Sequence, residues 1–240
     1  MKERIDDLNL DGLKLYQDVD GYTFTSDAVL LANFVKTKKT DTCVEIGTGS
    51  GIISILVNYK EKPKDIFAYE IQESVAHLAK RNVELNDMQK NITVICDKIQ
   101  NWKKYQKEGS VDVVFCNPPY FKFDPNVCGN NEQKTISRFD KYLTLEELFE
   151  ASSKLLKFGG KLFFINDSAR LDECFNVMKN NDLIPKRMYF VHPNENKNSS
   201  VFLCEAVKGG KQMLKVMPPL FTNNLDGDYI QTIQKLYKGR

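Results

Sequence analysis

The clearest chemical signal in the sequence is a four-residue turn, Asn117-Pro118-Pro119-Tyr120. It follows the apolar run of residues 111–116, which predicts a buried strand. Two consecutive prolines end that strand because they offer no backbone N–H, so the turn lies at a strand's carboxyl end, where open α/β sheets bind ligands. The Asn117 side chain and the Pro118 backbone offer carbonyl acceptors, and the Tyr120 ring can stack. This set suits an exocyclic amino group on a planar substrate such as adenine or an amide.

A glycine-rich loop is the second candidate site. Residues 45–51 read Glu-Ile-Gly-Thr-Gly-Ser-Gly and join a predicted strand, residues 42–46, to a helix that begins at Ile52. Glycines allow a sharp turn and a close ligand approach, and the helix N-terminus offers free N–H groups. The spacing differs from the G-x-G-x-x-G dinucleotide fingerprint, and a carboxylate at the loop's start favours a cationic ligand over a pyrophosphate. The candidate contacts are Glu45, Gly47, Thr48, Gly49 and Gly51.

Acids stand at the ends of three successive predicted strands. Glu45 ends the first, Glu70 the second and Asp97 the third. Around a glycine loop they fit S-adenosylmethionine, with Glu45 near its ammonium group, Glu70 holding the ribose hydroxyls and Asp97 accepting from the adenine amino group. Ile71 and Lys98, which follow two of these acids, are further candidate contacts. The alternative role for such acids is to cap helices at strand–helix turns.

The elements that must position these side chains alternate between strands and helices, which predicts a parallel sheet with right-handed crossovers. A helix runs from a capping box at Thr144 and Glu147 to Leu156, and Phe158-Gly159-Gly160 is expected to close it. Seven strands are predicted, at residues 42–46, 66–69, 92–96, 111–116, 161–165, 187–191 and 200–207.

The two ends of the chain carry weaker patterns. Residues 1–21 are expected to form an irregular arm, in which a short strand at residues 13–17 pairs with residues 22–25. Ser26 is the expected cap of a helix over residues 27–35. The polar loop of residues 121–141 is long enough to be functional or disordered. We expect one domain with an N-terminal arm and helix, a core and a C-terminal tail, at residues 1–40, 41–207 and 208–240.

The amino-acid composition excludes few classes of protein. The 240 residues are 42% hydrophobic and 28% charged, as in soluble globular proteins, and the apolar runs are too short to span a membrane. The six cysteines form no C-x-x-C pair and there are two histidines, so we expect no metal site. Cysteines within predicted strands indicate a reducing cytoplasm. A net charge of +2 neither requires nor excludes a nucleic-acid partner.

The glycine loop and the Asn-Pro-Pro-Tyr turn together resemble the class I S-adenosylmethionine-dependent methyltransferases that act on amino groups of adenine or glutamine. Residues 21–32, Gly-Tyr-Thr-Phe-Thr-Ser-Asp-Ala-Val-Leu-Leu-Ala, resemble the N-terminal signature of the bacterial tRNA(Val) adenine-N6 methyltransferases. So do Phe121, Arg138 and the late segments at residues 208–211 and 218–221. The resemblance covers nearly the whole chain. It departs at Phe139-Asp140, where a His-Glu-like pair is expected.

The resemblance implies a Rossmann-like α/β fold, with a mostly parallel seven-stranded sheet, helices on both faces and an antiparallel C-terminal strand. It implies methyl transfer from S-adenosyl-L-methionine to N6 of the adenine just 3′ of the anticodon in tRNA(Val). Phe24, Ser26 and Asp27 would line the methionine end of the cofactor and close the pocket. We expect the tRNA anticodon arm as partner, no membrane, and a monomer or weak dimer.

The chemistry expected at the turn is alignment rather than base catalysis. Asn117 and Pro118 would accept the two N–H bonds of the amino group, which localises the nitrogen lone pair, while Tyr120 fixes the plane of the base. Phosphate contacts from basic side chains would hold the RNA. The residues assigned to that role are Lys122, Arg138, Arg187, Lys197, Lys208 and Lys211.

Three other functions fit the same residues. A protein glutamine methyltransferase would use the same turn for an amide, although such enzymes usually carry a longer helical segment than residues 1–44 before the loop. A DNA or ribosomal RNA adenine methyltransferase is a second alternative, although no separate target-recognition domain is visible. The third is an RNA-binding module on an inactive methyltransferase fold, which the intact Asn117, Tyr120 and glycine loop argue against.

Overall fold

A nine-stranded sheet runs through the part of the chain that the structure describes, a computed structural model covering residues 3–19, 21, 23–124, 135–137 and 139–224. The first half contains β1 (Glu3–Asp7), β2 (Lys14–Asp18), α1 (Ser26–Phe34), β3 (Thr42–Ile46), α2 (Ile52–Glu61), β4 (Asp65–Glu70), α3 (Glu73–Leu85), β5 (Ile92–Cys96) and β6 (Val111–Cys116). The second half contains α4 (Leu145–Leu155), β7 (Leu156–Asp167), α5 (Leu171–Asn180), β8 (Leu183–His192), β9 (Val201–Lys208), β10 (Lys215–Val216) and β11 (Leu220–Phe221).

The order of strands confirms the expected sheet. It runs β10-β8-β9-β7-β6-β3-β4-β5, with β11 also paired to β8. The pairs from β5 to β7 are parallel, and β9 lies antiparallel between β7 and β8. The carboxyl ends of β3, β4, β5 and β6 therefore meet at one edge, which we call the carboxyl edge.

Apolar side chains on both faces explain why the central strands are continuous hydrophobic runs. Val113 and Phe115 of β6 point into a core under α1 and α2, while Val114 and Cys116 point into a second core under α4 and α5. The five described cysteines are free thiols, and four of them are buried. Within the described residues, no helix combines the length and the apolar character needed to cross a membrane.

The N-terminal arm differs from the prediction. The short strand β2 is present, but its partner is β1 and not residues 22–25, of which Tyr22 lies outside the described residues. The strand β1 is polar and largely exposed, so it carries no hydrophobic periodicity. Leu10, Leu13 and Leu15 anchor the hairpin in the first core. The helix α1 begins one residue early, since Thr25 and not Ser26 is its N-cap.

Two further differences lie in the C-terminal half. The strand β7 begins directly after α4, and Phe158-Gly159-Gly160 lies within it instead of closing the helix. Gly159 has a φ of +78°, and the pairing to β6 shifts register there, so the glycines form a bulge. The tail, expected to be irregular, adds β10 and β11 to the sheet edge. The capping box at Thr144 and Glu147 is confirmed.

Two asparagines on α3 attach the N-terminal hairpin. The Asn82 side chain bonds the backbone N and O of Tyr16 and also donates to the Ser50 carbonyl at 2.8 Å. One turn later, Asn86 makes the same two-way contact with Lys14. Asn82 is fully buried, whereas the Asn86 contacts are exposed. Only Asn82 therefore ties the hairpin to the glycine loop through a water-excluded bond.

We predict that Asn82→Ala lowers the free energy of unfolding by about 2–4 kcal/mol, because it removes the partner of the buried Ser50 carbonyl and of the half-buried backbone N–H and carbonyl of Tyr16. Asn86→Ala is the matched control, and it should cost less than about 1 kcal/mol since water replaces its contacts. Urea unfolding measures both. Equal losses would mean that the Ser50 contact contributes nothing.

Candidate active site

The carboxyl edge carries an open cleft. The glycine loop, the ends of β4 and β5 and the turn after β6 form its walls. Eight of the residues predicted from the sequence line it: Gly47, Gly49, Glu70, Ile71, Asp97, Lys98, Asn117 and Pro119. The structure therefore brings the two candidate sites into one cavity.

Glu70 and Tyr69 of β4 hold the glycine loop. The N–H of Gly49 donates to Glu70 Oε2 at 3.0 Å, and the N–H of Thr48 donates to the Tyr69 carbonyl at 2.8 Å. The other oxygen of Glu70 accepts from the Gln72 N–H, and burial raises the pKa of this carboxyl. A negative group already occupies the Gly49 N–H, so the loop is unsuited to a phosphate and suited to hydroxyl donors.

Glu45 lies beneath the loop and does not line the cleft. Its Oε2 accepts from the Thr48 hydroxyl at 2.6 Å and from the backbone N–H and hydroxyl of Ser54 on α2. Its Oε1 is buried without a hydrogen-bond partner among the described residues. Burial raises the pKa of Glu45 to about 7, against the effect of these hydrogen bonds. The side chain thus joins the loop to α2, and its contact with a cofactor ammonium stays a prediction.

Asp97 lies between β5 and the short 3-10 helix of residues 99–104. Its oxygens accept from four donors: the Lys98 N–H, Asn101 Nδ2, Lys104 Nζ and the Tyr105 hydroxyl. These bonds, led by that from Asn101, lower the pKa of Asp97 to about 2. A carboxylate has about four acceptor positions. The predicted contact with an adenine amino group would therefore replace one of these bonds.

Asn117 stands in the cleft wall at the end of β6, and Tyr120 folds back onto it. The Tyr120 hydroxyl lies 3.0 Å from Asn117 Oδ1 and 2.9 Å from Asp27 Oδ2. Asp27 is in the first turn of α1, next to Ser26, so the N-terminal signature contacts the turn directly. Phe24 instead lines a second hollow beneath β1. Thr48, Gly51 and Pro118 are not among the residues that line the cleft.

Arg170 is a residue that the sequence analysis missed. Its side chain is 10% exposed and donates to the Tyr120 carbonyl at 3.1 Å, to Asp140 at 3.2 Å and to both oxygens of Glu173. Asp140 also accepts from the Phe123 N–H at 2.9 Å. Asp140, at one of the two positions that depart from the family pattern, thus holds the segment that follows the turn. No sequence signal marks Arg170, which follows a strand among ordinary polar residues.

The predicted RNA contacts separate into two groups. Lys122, which pairs with Glu173 at 3.4 Å, and Lys197, between β8 and β9, lie on the carboxyl edge. Lys208 and Lys211 lie near the start of β8, at the opposite edge, and Lys208 donates to the Leu156 carbonyl. Arg187 pairs with Glu205 and covers the Phe34 ring, and Arg138 lies outside the described residues.

Comparison with known proteins agrees with this geometry. The fold is that of the class I methyltransferases, in which a glycine loop and strand-end acids surround the cleft. The chain belongs to the methyltransferase small domain family, whose model matches residues 23–181.

Two relatives and one solved structure illustrate the similarity. A tRNA1(Val) (adenine(37)-N6)-methyltransferase of Photobacterium profundum is 25% identical over 77% of this chain and 77% of its own length. A protein of the same name from Dyadobacter fermentans is 30% identical over 65% of each chain. The structure of a predicted O-methyltransferase from Agrobacterium tumefaciens matches with a TM-score of 0.72 and 20% identity, over 89% of this chain and 96% of that one. That last likeness concerns the fold alone.

We predict that Glu45→Gln removes a pH dependence of stability. The folded protein holds the Glu45 proton up to about pH 7, whereas the unfolded chain releases it near the ordinary carboxyl pKa. This stabilising contribution is complete below the unfolded pKa and is lost as the pH rises through the folded one. Relative to the variant, the wild-type free energy of unfolding should fall by about 3 kcal/mol between about pH 4 and about pH 8. Urea unfolding at several pH values measures this difference. The prediction would be contradicted if the free energies of unfolding of the wild type and the variant changed in parallel with pH.

We predict that Arg170→Met lowers the free energy of unfolding by about 3–5 kcal/mol, because it removes the hydrogen bonds of the guanidinium group to the Tyr120 carbonyl, Asp140 and Glu173 in a half-buried place. Arg81→Met is the control, since it removes a two-bond pair with Glu3 at the surface and should cost about 1 kcal/mol or less. Chemical unfolding of both variants measures the two losses in the free energy of unfolding. A loss at Arg170 no larger than that at Arg81 would show that the cluster is not stabilising.

Proposed function

We propose that this protein transfers a methyl group from S-adenosyl-L-methionine to N6 of an adenine in tRNA, next to the anticodon. The observation that carries the proposal is the shared cleft, which Asn117 and Pro119 of the turn line together with Gly49 of the loop and Glu70 of β4. Donor and acceptor can therefore bind side by side. The names of the relatives support the substrate, and the separate acceptor set of the turn supports an amino group as the target.

The residues present fit the cofactor. The Glu70 carboxylate, held by the Gly49 N–H, presents acceptors for ribose hydroxyls in the cleft, and Ile71 and Ile99 offer apolar surface for a flat ring. Because Glu45 and Glu70 both lie at this loop, the site favours a positively charged ligand without phosphates. When bound, S-adenosylmethionine supplies a methyl group on a positively charged sulfur.

The chain's own contribution to the reaction is orientation. Asn117 and the Pro118 carbonyl accept the N–H bonds of the amino group, which turns the nitrogen lone pair toward the donor. Alignment of this kind is worth roughly 7–11 kcal/mol of the barrier. No general base is assigned, because the nitrogen becomes acidic once it carries the methyl group. The proton passes to solvent.

An aromatic surface at the cleft mouth favours RNA over a protein substrate. We call Phe121, Phe123, Phe139, Lys141 and Tyr142 the aromatic–lysine surface. The rings of Phe121 and Phe139 lie 6.0 Å apart, and Phe121 is 48% exposed. The Lys141 ammonium lies 5.0 Å from the Phe123 ring and 5.1 Å from the Tyr142 ring. Exposed rings beside a cation suit unpaired bases with their phosphates.

The anticodon arm of tRNA(Val) is the proposed partner, and the reducing cytoplasm the proposed compartment. A loop adenine is already unpaired, so turning it into the cleft costs only a few kcal/mol. Lys122 and Lys197, on the same edge as the cleft, are the predicted residues best placed to contact phosphates. We further propose that one such domain acts as a monomer or weak dimer.

The test is a transfer assay with methyl-labelled cofactor and four acceptors: unmodified total tRNA, ribosomal RNA, duplex DNA and a glutamine-containing protein factor. We expect label in tRNA. Asn117→Ala should reduce turnover by about 100-fold or more while cofactor affinity stays within a factor of about two, because the side chain acts on the acceptor. Calorimetric titration measures that affinity.

The matched control is Asn181→Ala, which removes another half-buried amide, at the end of α5 and away from the cleft. It should keep wild-type turnover. Wild-type turnover in Asn117→Ala would refute the assignment of the turn. Label in the protein factor instead of tRNA would mean that the protein methylates glutamine and not RNA.

A further inference from the structure

The Tyr120 hydroxyl lies between two oxygen atoms. It is 2.9 Å from Asp27 Oδ2 and 3.0 Å from the atom placed as Asn117 Oδ1. A hydroxyl has one proton, so it can donate to only one of them. The other contact needs a donor of its own.

The amide of Asn117 can supply that donor. The heavy-atom positions of an amide do not distinguish its oxygen from its nitrogen, and the hydrogen-bond network must decide. An ionised carboxylate at Asp27 has no proton to give, so the Tyr120 hydroxyl donates to it. Tyr120 then has only lone pairs left for Asn117, and the amide must present its NH2 group. The Asn117 oxygen is thereby left for the cleft that this residue lines.

The surroundings of Asp27 hold it in this position. It stands in the first turn of α1, whose following residues Ala28, Val29 and Leu30 are buried in the first core. Burial raises the pKa of Asp27, while the hydrogen bonds from Tyr120 and Ser26 oppose that rise and favour the charged form. The helix N-terminus favours the charged form as well.

We propose that Asp27 is a positioning residue that sets the orientation of the Asn117 amide through the Tyr120 hydroxyl. The inference deepens the proposed function and rests on it for its catalytic meaning. When the hydrogen bonds run from Asn117 to Tyr120 and from Tyr120 to the Asp27 carboxylate, Asn117 offers its oxygen to a substrate amino group. When both hydrogen bonds run the other way, Asn117 offers an NH2 group that repels that substrate.

The orientation can be measured without a substrate. In a nuclear Overhauser spectrum, the side-chain NH2 of Asn117, assigned by its loss in Asn117→Ala, should lie close to the Tyr120 ring protons next to the hydroxyl. Asp27→Ala removes the acceptor, so the Tyr120 proton should turn to Asn117, the amide should reverse and this contact should weaken. An unchanged contact in Asp27→Ala would overturn the proposal, whatever the protein methylates.

The kinetic test is a double-mutant cycle on tRNA. Asp27→Ala should lower kcat by about 10- to 100-fold, with KM and cofactor affinity nearly unchanged. Tyr120→Phe also lowers kcat, and adding Asp27→Ala to it should cost nothing more, because the hydroxyl transmits the effect. If the two losses in kcat were independent, or if the main effect were on cofactor affinity, Asp27 would not act through Tyr120. Its role would then be the contact with the methionine end of the cofactor that the sequence resemblance implies. A wild type that binds cofactor but leaves tRNA unmethylated would refute the proposed function, while the spectrum still decides the orientation.

Discussion

The cleft depends on two buried carboxylates that hold one glycine loop. Glu70 fixes the Gly49 N–H from β4, and Glu45 ties Thr48 to Ser54 at the start of α2. A loop with positive φ at three glycines has little conformational preference of its own, so these carboxyl acceptors determine its shape. The same carboxylates give the site its selectivity, because they occupy N–H groups that would otherwise bind phosphate.

The acceptor side of the cleft is held by a second cluster. Arg170 binds the Tyr120 carbonyl and Asp140, and Asp140 binds the Phe123 N–H, so the chain leaves the turn along a fixed path. On the other side of the Tyr120 ring, the hydroxyl reaches Asp27. Two elements far apart in sequence, α1 and the start of α5, therefore both hold Tyr120, the last residue of the turn. The chemistry proposed for the turn consists mainly of orientation, which these contacts support.

The sequence predicted the central strands and the two loops because their signals are local. The runs at residues 42–46, 92–96 and 111–116 match their strands residue for residue, and the carboxyl-edge rule brought the loops together. The strands and the residue that the sequence did not predict lack such local signals. The strand β1 is polar, and the edge strands β10 and β11 are only two residues long, so none of them shows hydrophobic periodicity. Arg170 acts through contacts to residues 30 and 50 positions away, which no local pattern encodes.

We propose that the turn after β6 selects an exocyclic amino group of adenine as the methyl acceptor. The test is mass spectrometry of nucleosides from tRNA that the protein has treated with cofactor carrying a deuterated methyl group. We expect the label to appear as N6-methyladenosine. Label on a ring nitrogen, on a ribose oxygen or on a base other than adenine would contradict it.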